Sequence, residues 1–369
     1  GSGTIADVPE SSQNVRGHLF GKTRFDLGPT WRGGADIALT SDDTYLMRYR
    51  FPTQDPLVNH LFVEGFRGRS YAQVNAYHFR GLRVSDAQGE LPIAFPIVDY
   101  NFVGEPDRLG GRWSLDANLT ALTRTSGTDS RRLSLKTGWE LPHIARSGEV
   151  TNLYFTLQSD AYWVDEVQEQ GKATGDLSSG LAGRLFPQVG LDWRFPLVRS
   201  DATVAQIIEP MAGIVVGPNG GNPDKIPNED SRNLELDDTN FMQPSRFTGL
   251  DRVEGGQRIY YGLNWSLHGA QGGYSSAFLG QSYRFRKDNS FTKGSGLEDN
   301  FSDLVGRIVL QPRAPLSLQY RFRLSKDTFK ALRNEISGWI GPGALRLTTT
   351  YIFIDTDAGS GEFADREEL

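Results

Sequence analysis

The chain has 369 residues, 38% of them hydrophobic, with a mean hydropathy of −0.43, a net charge of −6 and no cysteine. Nothing in it approaches the roughly 20 apolar residues of a membrane-spanning helix, no basic surface is on offer to nucleic acid, and disulfides and thiolate metal sites are excluded. A chain of this length forms two soluble domains or one large β-barrel, and 42 glycines with 11% aromatics suit strands and tight turns.

In chain order, apolar and polar residues alternate with period 2, the spacing of a strand with two unlike faces. Trp113, Leu115, Ala117, Leu119 and Ala121 oppose Ser114, Asp116, Asn118 and Thr120. Leu133, Leu135 and Trp139 oppose Arg132, Ser134 and Lys136, and Leu153, Phe155, Leu157, Ala161 and Trp163 oppose Asn152, Tyr154, Thr156, Gln158 and Asp160. After the apolar segment 204–216 and a long acidic loop, 217–256, the alternation is faultless: Ile259, Tyr261, Leu263, Trp265 and Leu267 face one way, Arg258, Tyr260, Asn264, Ser266 and His268 the other. Runs at 316–324 and 345–353 repeat the pattern, and 304–311 does so with a less clean split. Turn signals separate the runs at Ser126-Gly127, Ser147-Gly148, 269–273 and 341–343. Longer loops are predicted at 52–60, 85–96, 165–179 and 217–256, and 326–334 reads as loop and strand.

The count is roughly 16 strands of about 9–11 residues, the length that a tilted membrane strand needs. A soluble sandwich shares the periodicity, but its strands are shorter, about 5–6 residues, and number only about 7–9. Aromatics near the predicted strand ends (Trp31, Tyr45, Tyr49, Trp139, Tyr162, Trp163, Trp193 and Phe195 among them) suit interfacial girdles. The fold predicted is all-β: an antiparallel up-and-down transmembrane β-barrel, residues 1–369 forming one domain with a hydrated lumen. Pro187, Pro196, Pro210, Pro312 and Pro315 lack a ladder donor and are expected at strand ends, bulges or weakly paired edges. The Gly-Ser-Gly start without Met and the charged tail 363–369 are expected of a segment of a longer protein.

Asp224, Glu229, Asp230, Glu235, Asp237 and Asp238 crowd the long loop. Clustered carboxylates suit calcium or magnesium, yet the spacing is not that of an EF-hand, and a solvated surface loop is the reading preferred. No metal site and no cofactor are predicted. The five histidines (His18, His60, His78, His143 and His268) have no metalloprotease spacing and no nucleophile elbow accompanies them, so the chain is not read as an enzyme. Inward Arg132, Lys136, Asp160, Arg307 and their neighbours suit the hydrated wall of any wide barrel, or the eyelet of a porin.

Four segments resemble the LptD (OstA, Imp) family of lipopolysaccharide-assembly outer-membrane proteins in its alphaproteobacterial form. They are 41–49; Glu64-Gly65-Phe66 with Arg69-Ser70-Tyr71-Ala72; Ile208-Glu209-Pro210; and the most specific, the spacing of Asn228 and Asp230 to Gly249-Leu250-Asp251-Arg252. The resemblance implies a barrel of the cell outer membrane that inserts lipopolysaccharide into the outer leaflet. It also implies an LptE-type lipoprotein plug, an LptA-type periplasmic bridge reaching an N-terminal jellyroll, and assembly by the BAM complex. Roughly 16 strands are too few for the family's barrel, so the chain is expected to be its central wall without the jellyroll or the seam strands. Arg258, Asn264, Arg321 and Arg323 are expected to line the lipid path, where cations pair with headgroup phosphates.

Overall fold

Alternation along the chain becomes one antiparallel sheet in the computed structural model, which describes residues 2–5, 15–83, 85–169, 175–232, 234–312, 315–341, 345–355 and 366–368. Its strands are β1 (Ser2–Ile5), β2 (Val15–Asp26), β3 (Trp31–Thr40), β4 (Leu57–Arg67), β5 (Ser70–Arg80), β6 (Ile93–Val103), β7 (Arg112–Thr123), β8 (Asp129–Ile144), β9 (Val150–Gln168) and β10 (Leu177–Arg194). They continue as β11 (Leu197–Ser200), β12 (Val204–Val216), β13 (Gln257–Gly269), β14 (Tyr274–Arg284), β15 (Leu304–Gln311), β16 (Leu316–Leu324), β17 (Ala331–Ile340), β18 (Leu347–Ile354) and β19 (Arg366–Glu368). Three of the nineteen (β1, β11 and β19) have three or four residues; the other sixteen have eight or more, matching the predicted count. Strands pair with their chain neighbours up and down, except that β10 pairs with β12 and not with the short β11, which pairs with β12 alone. This is a transmembrane β-barrel fold, with the period-2 faces resolved as predicted. On β13, Tyr261 and Leu263 stay exposed on the outside, while Arg258, Tyr260 and Ser266 are buried within.

One rim carries short connections, such as 27–30, 68–69, 145–149 and 270–273; the other carries the long ones, 41–56, 81–92, 217–256 and 285–303. Exposed Trp31, Phe66, Phe102 and Trp113 sit at the short-turn rim, as a girdle requires. Three of the aromatics named for girdles belong elsewhere, and one of them, Tyr49, stands in the 41–56 loop against Tyr45. Tyr45 opens the short helix α1 (Tyr45–Arg48), where it packs on Leu46, Leu57 and Leu82. Tyr162 is inside the barrel wall against Val164, Val167 and Ile226. Loop bounds shift as well: Leu57 already starts β4, β9 runs on to Gln168, and the 285–303 loop was not anticipated. The turn at 341–343 and the tail 363–369 fall largely outside the described residues.

Pro187 and Pro210 lie inside β10 and β12 rather than at their ends. The reason is local. The β10–β12 ladder spans only 189–194 against 211–216, and β11 covers 205–208. Pro187 lies beyond the first ladder, and Pro210 lies in the gap between the two, its carbonyl accepting from Phe195 N at 3.0 Å. Each missing N–H therefore costs no strand pair.

Candidate functional site

The acidic loop 217–256 is not solvated. It folds back against the inner wall, where Ile226, Leu236, Phe241, Phe247 and Val253 are buried. Leu236, Phe241 and Phe247 join inward Tyr154, Met211, Val215, Tyr260, Phe278 and Val305 in one core, so this sector of the lumen is packed rather than hydrated. Phe241 meets Tyr260 and Phe278 edge-on at 5.7 and 5.5 Å, and Phe247 stacks on Phe291 of the 285–303 loop at 5.4 Å. Burying these rings offsets the cost of ordering a long loop.

Charge complementarity fixes its position. The six signature residues, far apart in sequence, form one reciprocal clasp. The N–H groups of Glu229 and Asp230 donate to Asp251 Oδ2 at 2.8 and 3.2 Å, while those of Leu250 and Asp251 donate to Asp230 Oδ1 at 3.1 and 3.0 Å. Asn228 Oδ1 accepts from Ser231 N at 3.0 Å, and Arg252 Nη1 donates to Ile226 O at 2.8 Å. Gly249 permits the approach, because a Cβ there would collide with the Asp230 carboxylate. From the wall, Arg132 Nη1 reaches both carboxylates at 2.6 Å, and Tyr162 Oη donates to Asp251 Oδ1 at 3.0 Å. Two carboxylates beside one guanidinium split their affinities. Burial pushes Asp230 up, but Arg132 and the two amides outweigh it and hold the group down to about 2. In Asp251 burial prevails, with the Asp230 charge adding to it, and its pKa is raised.

Further contacts repeat the theme. Arg184, paired with Asp160 at 2.6 Å in the wall, donates to Leu250 O at 2.6 Å and Asp251 O at 3.0 Å. Fully buried Glu254 receives Arg246, Arg258 and Arg284, with Arg258 Nη1 at 3.2 Å. Burial pushes Glu254 up, yet the three guanidiniums hold it well below the ordinary carboxylate range. Asp238 meets Arg307 at 2.9 Å and Arg321 at 3.3 Å; Glu235 meets Arg323 at 3.5 Å and also Arg333. Arg124 adds Glu229 at 2.7 Å. Glu229, Asp230, Glu235, Asp238, Asp251 and Glu254 thus anchor the loop to arginines of the wall and its rim, while Asp224 stays exposed.

Of the four residues expected along a lipid path, Arg258 is buried between Glu254 and the carbonyls of Gln243 and Pro244, at 2.7 and 2.6 Å. Arg321 and Arg323 hold Asp238 and Glu235. Asn264 remains half-buried on the inner face of β13, in register with Glu209 and Phe278. Ser266 Oγ lies 3.3 Å from His268 Nε2 on the same face. Sequence reasoning passed over Arg124, Arg184, Arg246, Arg284 and Arg333 as anchors. Part of the signal was present: eight large apolar residues in the loop are too many for a solvated one, and Arg184, Arg284 and Arg333 lie on the polar faces of strands, whereas Arg124 precedes β8 and Arg246 belongs to the loop itself.

Among the described residues, no group of three or more metal-ligating side chains comes together, and no helix is long and apolar enough to cross a membrane. No curated protein matches the chain. Among solved structures, that of BamA from Haemophilus ducreyi lacking POTRA domains 1-3 is similar over 81% of this chain and 68% of its own, with 10% identity and a TM-score of 0.32. Residues 14–362 match the family described as LPS transport system D. With nearly its whole length matched, the chain belongs to the LptD family.

Proposed function

We propose that the chain forms the wall of an outer-membrane translocon that inserts lipopolysaccharide into the outer leaflet, a transport role without catalysis. The observation that carries this reading is the family match over 14–362, which includes every residue of the clasp. An apolar exterior suits a barrel held in the membrane, with its long-loop rim outermost. In this reading the arginines Arg258, Arg321 and Arg323 hold the loop, while Asn264 faces the route open to lipid and to partners. An LptE-type lipoprotein takes the sector of the lumen beside β2–β5, where Lys22, Arg24 and Arg32 remain exposed. Lipid arrives over an LptA-type bridge, and the BAM complex assembles the barrel.

A diffusion porin is the competing reading, and the packed loop core argues against it because it removes open lumen along β8–β16. The test is a photocrosslinking residue at Asn264 in the full-length protein in living cells. Adducts with lipopolysaccharide or a lipoprotein are expected. Clean surface expression with neither adduct, together with single-channel conductance in planar bilayers, would favour the porin.

A further inference from the structure

On the inner wall, the arginines that meet loop 217–256 are matched to carboxylates. Two arginines at the rim between loops 217–256 and 285–303 are not. Among the described residues, Arg252 and Arg286 have no carboxylate within ion-pair distance, and both line one cleft of about 860 Å³ between loops 217–256 and 285–303. Arg252 is anchored by carbonyls, Ile226 O at 2.8 Å and Asp251 O at 3.5 Å. Burial lowers its pKa, and the charges of Asp251 and Asp224, neither of them in ion-pair contact, offset that only in part. Lys287, beside Arg286, is already neutralised by Asp299. The cleft also holds an unused acceptor. Asp288 Oδ1 takes the N–H of Ser290 at 2.9 Å, whereas its buried Oδ2 has no hydrogen-bond partner among the described residues. A buried carboxylate oxygen left in that state costs free energy until a donor arrives. Gly220, at a φ of +75°, faces open space where a side chain would stand, so the backbone is approachable there.

We infer that this cleft binds a phosphorylated saccharide. Guanidiniums are the donors best shaped for phosphate oxygens, and Arg252 and Arg286 supply two of them. Asp288 Oδ2 asks for a hydroxyl donor, which a sugar provides, and Asn289 and Thr292 line the same wall. Asp288 and exposed Asp224 disfavour a bare anion. The site therefore selects a ligand carrying both phosphate and hydroxyls over inorganic phosphate. Such a ligand occurs as a free sugar phosphate and as the headgroup of a phosphorylated glycolipid. The site stands on its own geometry; only its assignment to a transported glycolipid rests on the function proposed above.

The test uses full-length protein in detergent micelles, titrated with glucose 6-phosphate, glucose and inorganic phosphate by calorimetry and saturation-transfer NMR. Glucose 6-phosphate is expected to bind, with the other two at least roughly tenfold weaker. Arg286→Gln, at an exposed residue with no role in docking the loop, is expected to weaken it by roughly tenfold, the worth of one charge-assisted hydrogen bond. Arg252→Gln gives the same loss, and protection of the loop from protease checks that it is still docked. Absence of glucose 6-phosphate binding, or unchanged affinity in Arg286→Gln, overturns the site. If Arg286→Gln abolishes binding in micelles while lipopolysaccharide export in cells continues, the site stands with the free sugar phosphate as its ligand. If binding holds but the Asn264 crosslinks fail, the transport reading falls alone.

Discussion

The inner faces of β2–β5 and of β8–β16 are built from the same residue types and behave differently. In the first sector Arg24 pairs with Asp36 at 2.8 Å and Arg32 with Glu64 at 2.6 Å, yet both arginines remain more than half exposed. In the second, Arg184, Arg258, Arg284 and Arg323 are buried, and most of their partners belong to a loop. Bond lengths do not distinguish the two; water does. An exposed pair is screened and contributes little, whereas removing one partner of a buried set strands a charge in a poorly solvated place. Ion pairs in this wall are withheld from water only where a loop covers them, as 217–256 does across β8–β16 and as 41–56 does for Arg16 of β2, which is fully buried against Asp42.

The largest expected effect breaks the covered set at its centre. Glu254→Gln leaves Arg246, Arg258 and Arg284 crowded without a counter-charge, and we expect a loss of about 3–5 kcal/mol in the docked state. Faster protease cleavage within 217–256 and a lower unfolding temperature in detergent would register it. Next comes Gly249→Ala, whose methyl group collides with Asp230. Overpacking of this kind costs roughly 1–3 kcal/mol, and amide exchange at Leu250 and Asp251 should quicken with little change at β9 or β13.

Acid gives a graded version. Asp230 is held at about 2 against an ordinary 3.8. A carboxylate depressed by folding stabilises fully above its unfolded value, and that contribution is lost as pH falls through the folded one. The loop should stay docked at pH 5 and loosen between about 4 and 2, with Glu254 acting in the same sense. Asp251 acts in the opposite sense: its pKa is raised in the folded state, so protonation favours docking and offsets part of the loss. Amide exchange of Leu250 against pH reads the balance, and a loop looser at pH 5 than at pH 3 would reverse the assignment. The smallest effect is expected of Arg32→Ala, which should leave the unfolding temperature within experimental scatter; a large drop would mean that the first sector is also covered.

The contrast also marks where the sequence is legible. Strands and their faces follow from alternation because β structure repeats every two residues and membrane strands are long; β13 is correct residue by residue. The clasp residues were visible as a spacing, 228–230 to 249–252, but not as a contact. No local periodicity records that Asp230 and Asp251 share Arg132, since that geometry is set by a loop closing over a hundred residues away from its partner strand. The acids of the loop read as solvated because most of their counter-charges lie on other elements, chiefly β8 and β13–β17. Pro187 and Pro210 meet the expectation of weak pairing but not of strand ends: tolerance depends on which neighbouring strand has ended, and that is a property of the sheet.

The central claim is that loop 217–256 lies inside the wall rather than on the surface. The chain has no cysteine, so a single one can be placed at buried Leu236 and, for comparison, at exposed Asp224, then treated in intact cells with a bulky membrane-impermeant maleimide. The account predicts rapid labelling at 224 and protection at 236 that disappears in Glu254→Gln. Equal labelling at both positions in the otherwise unaltered protein would contradict it.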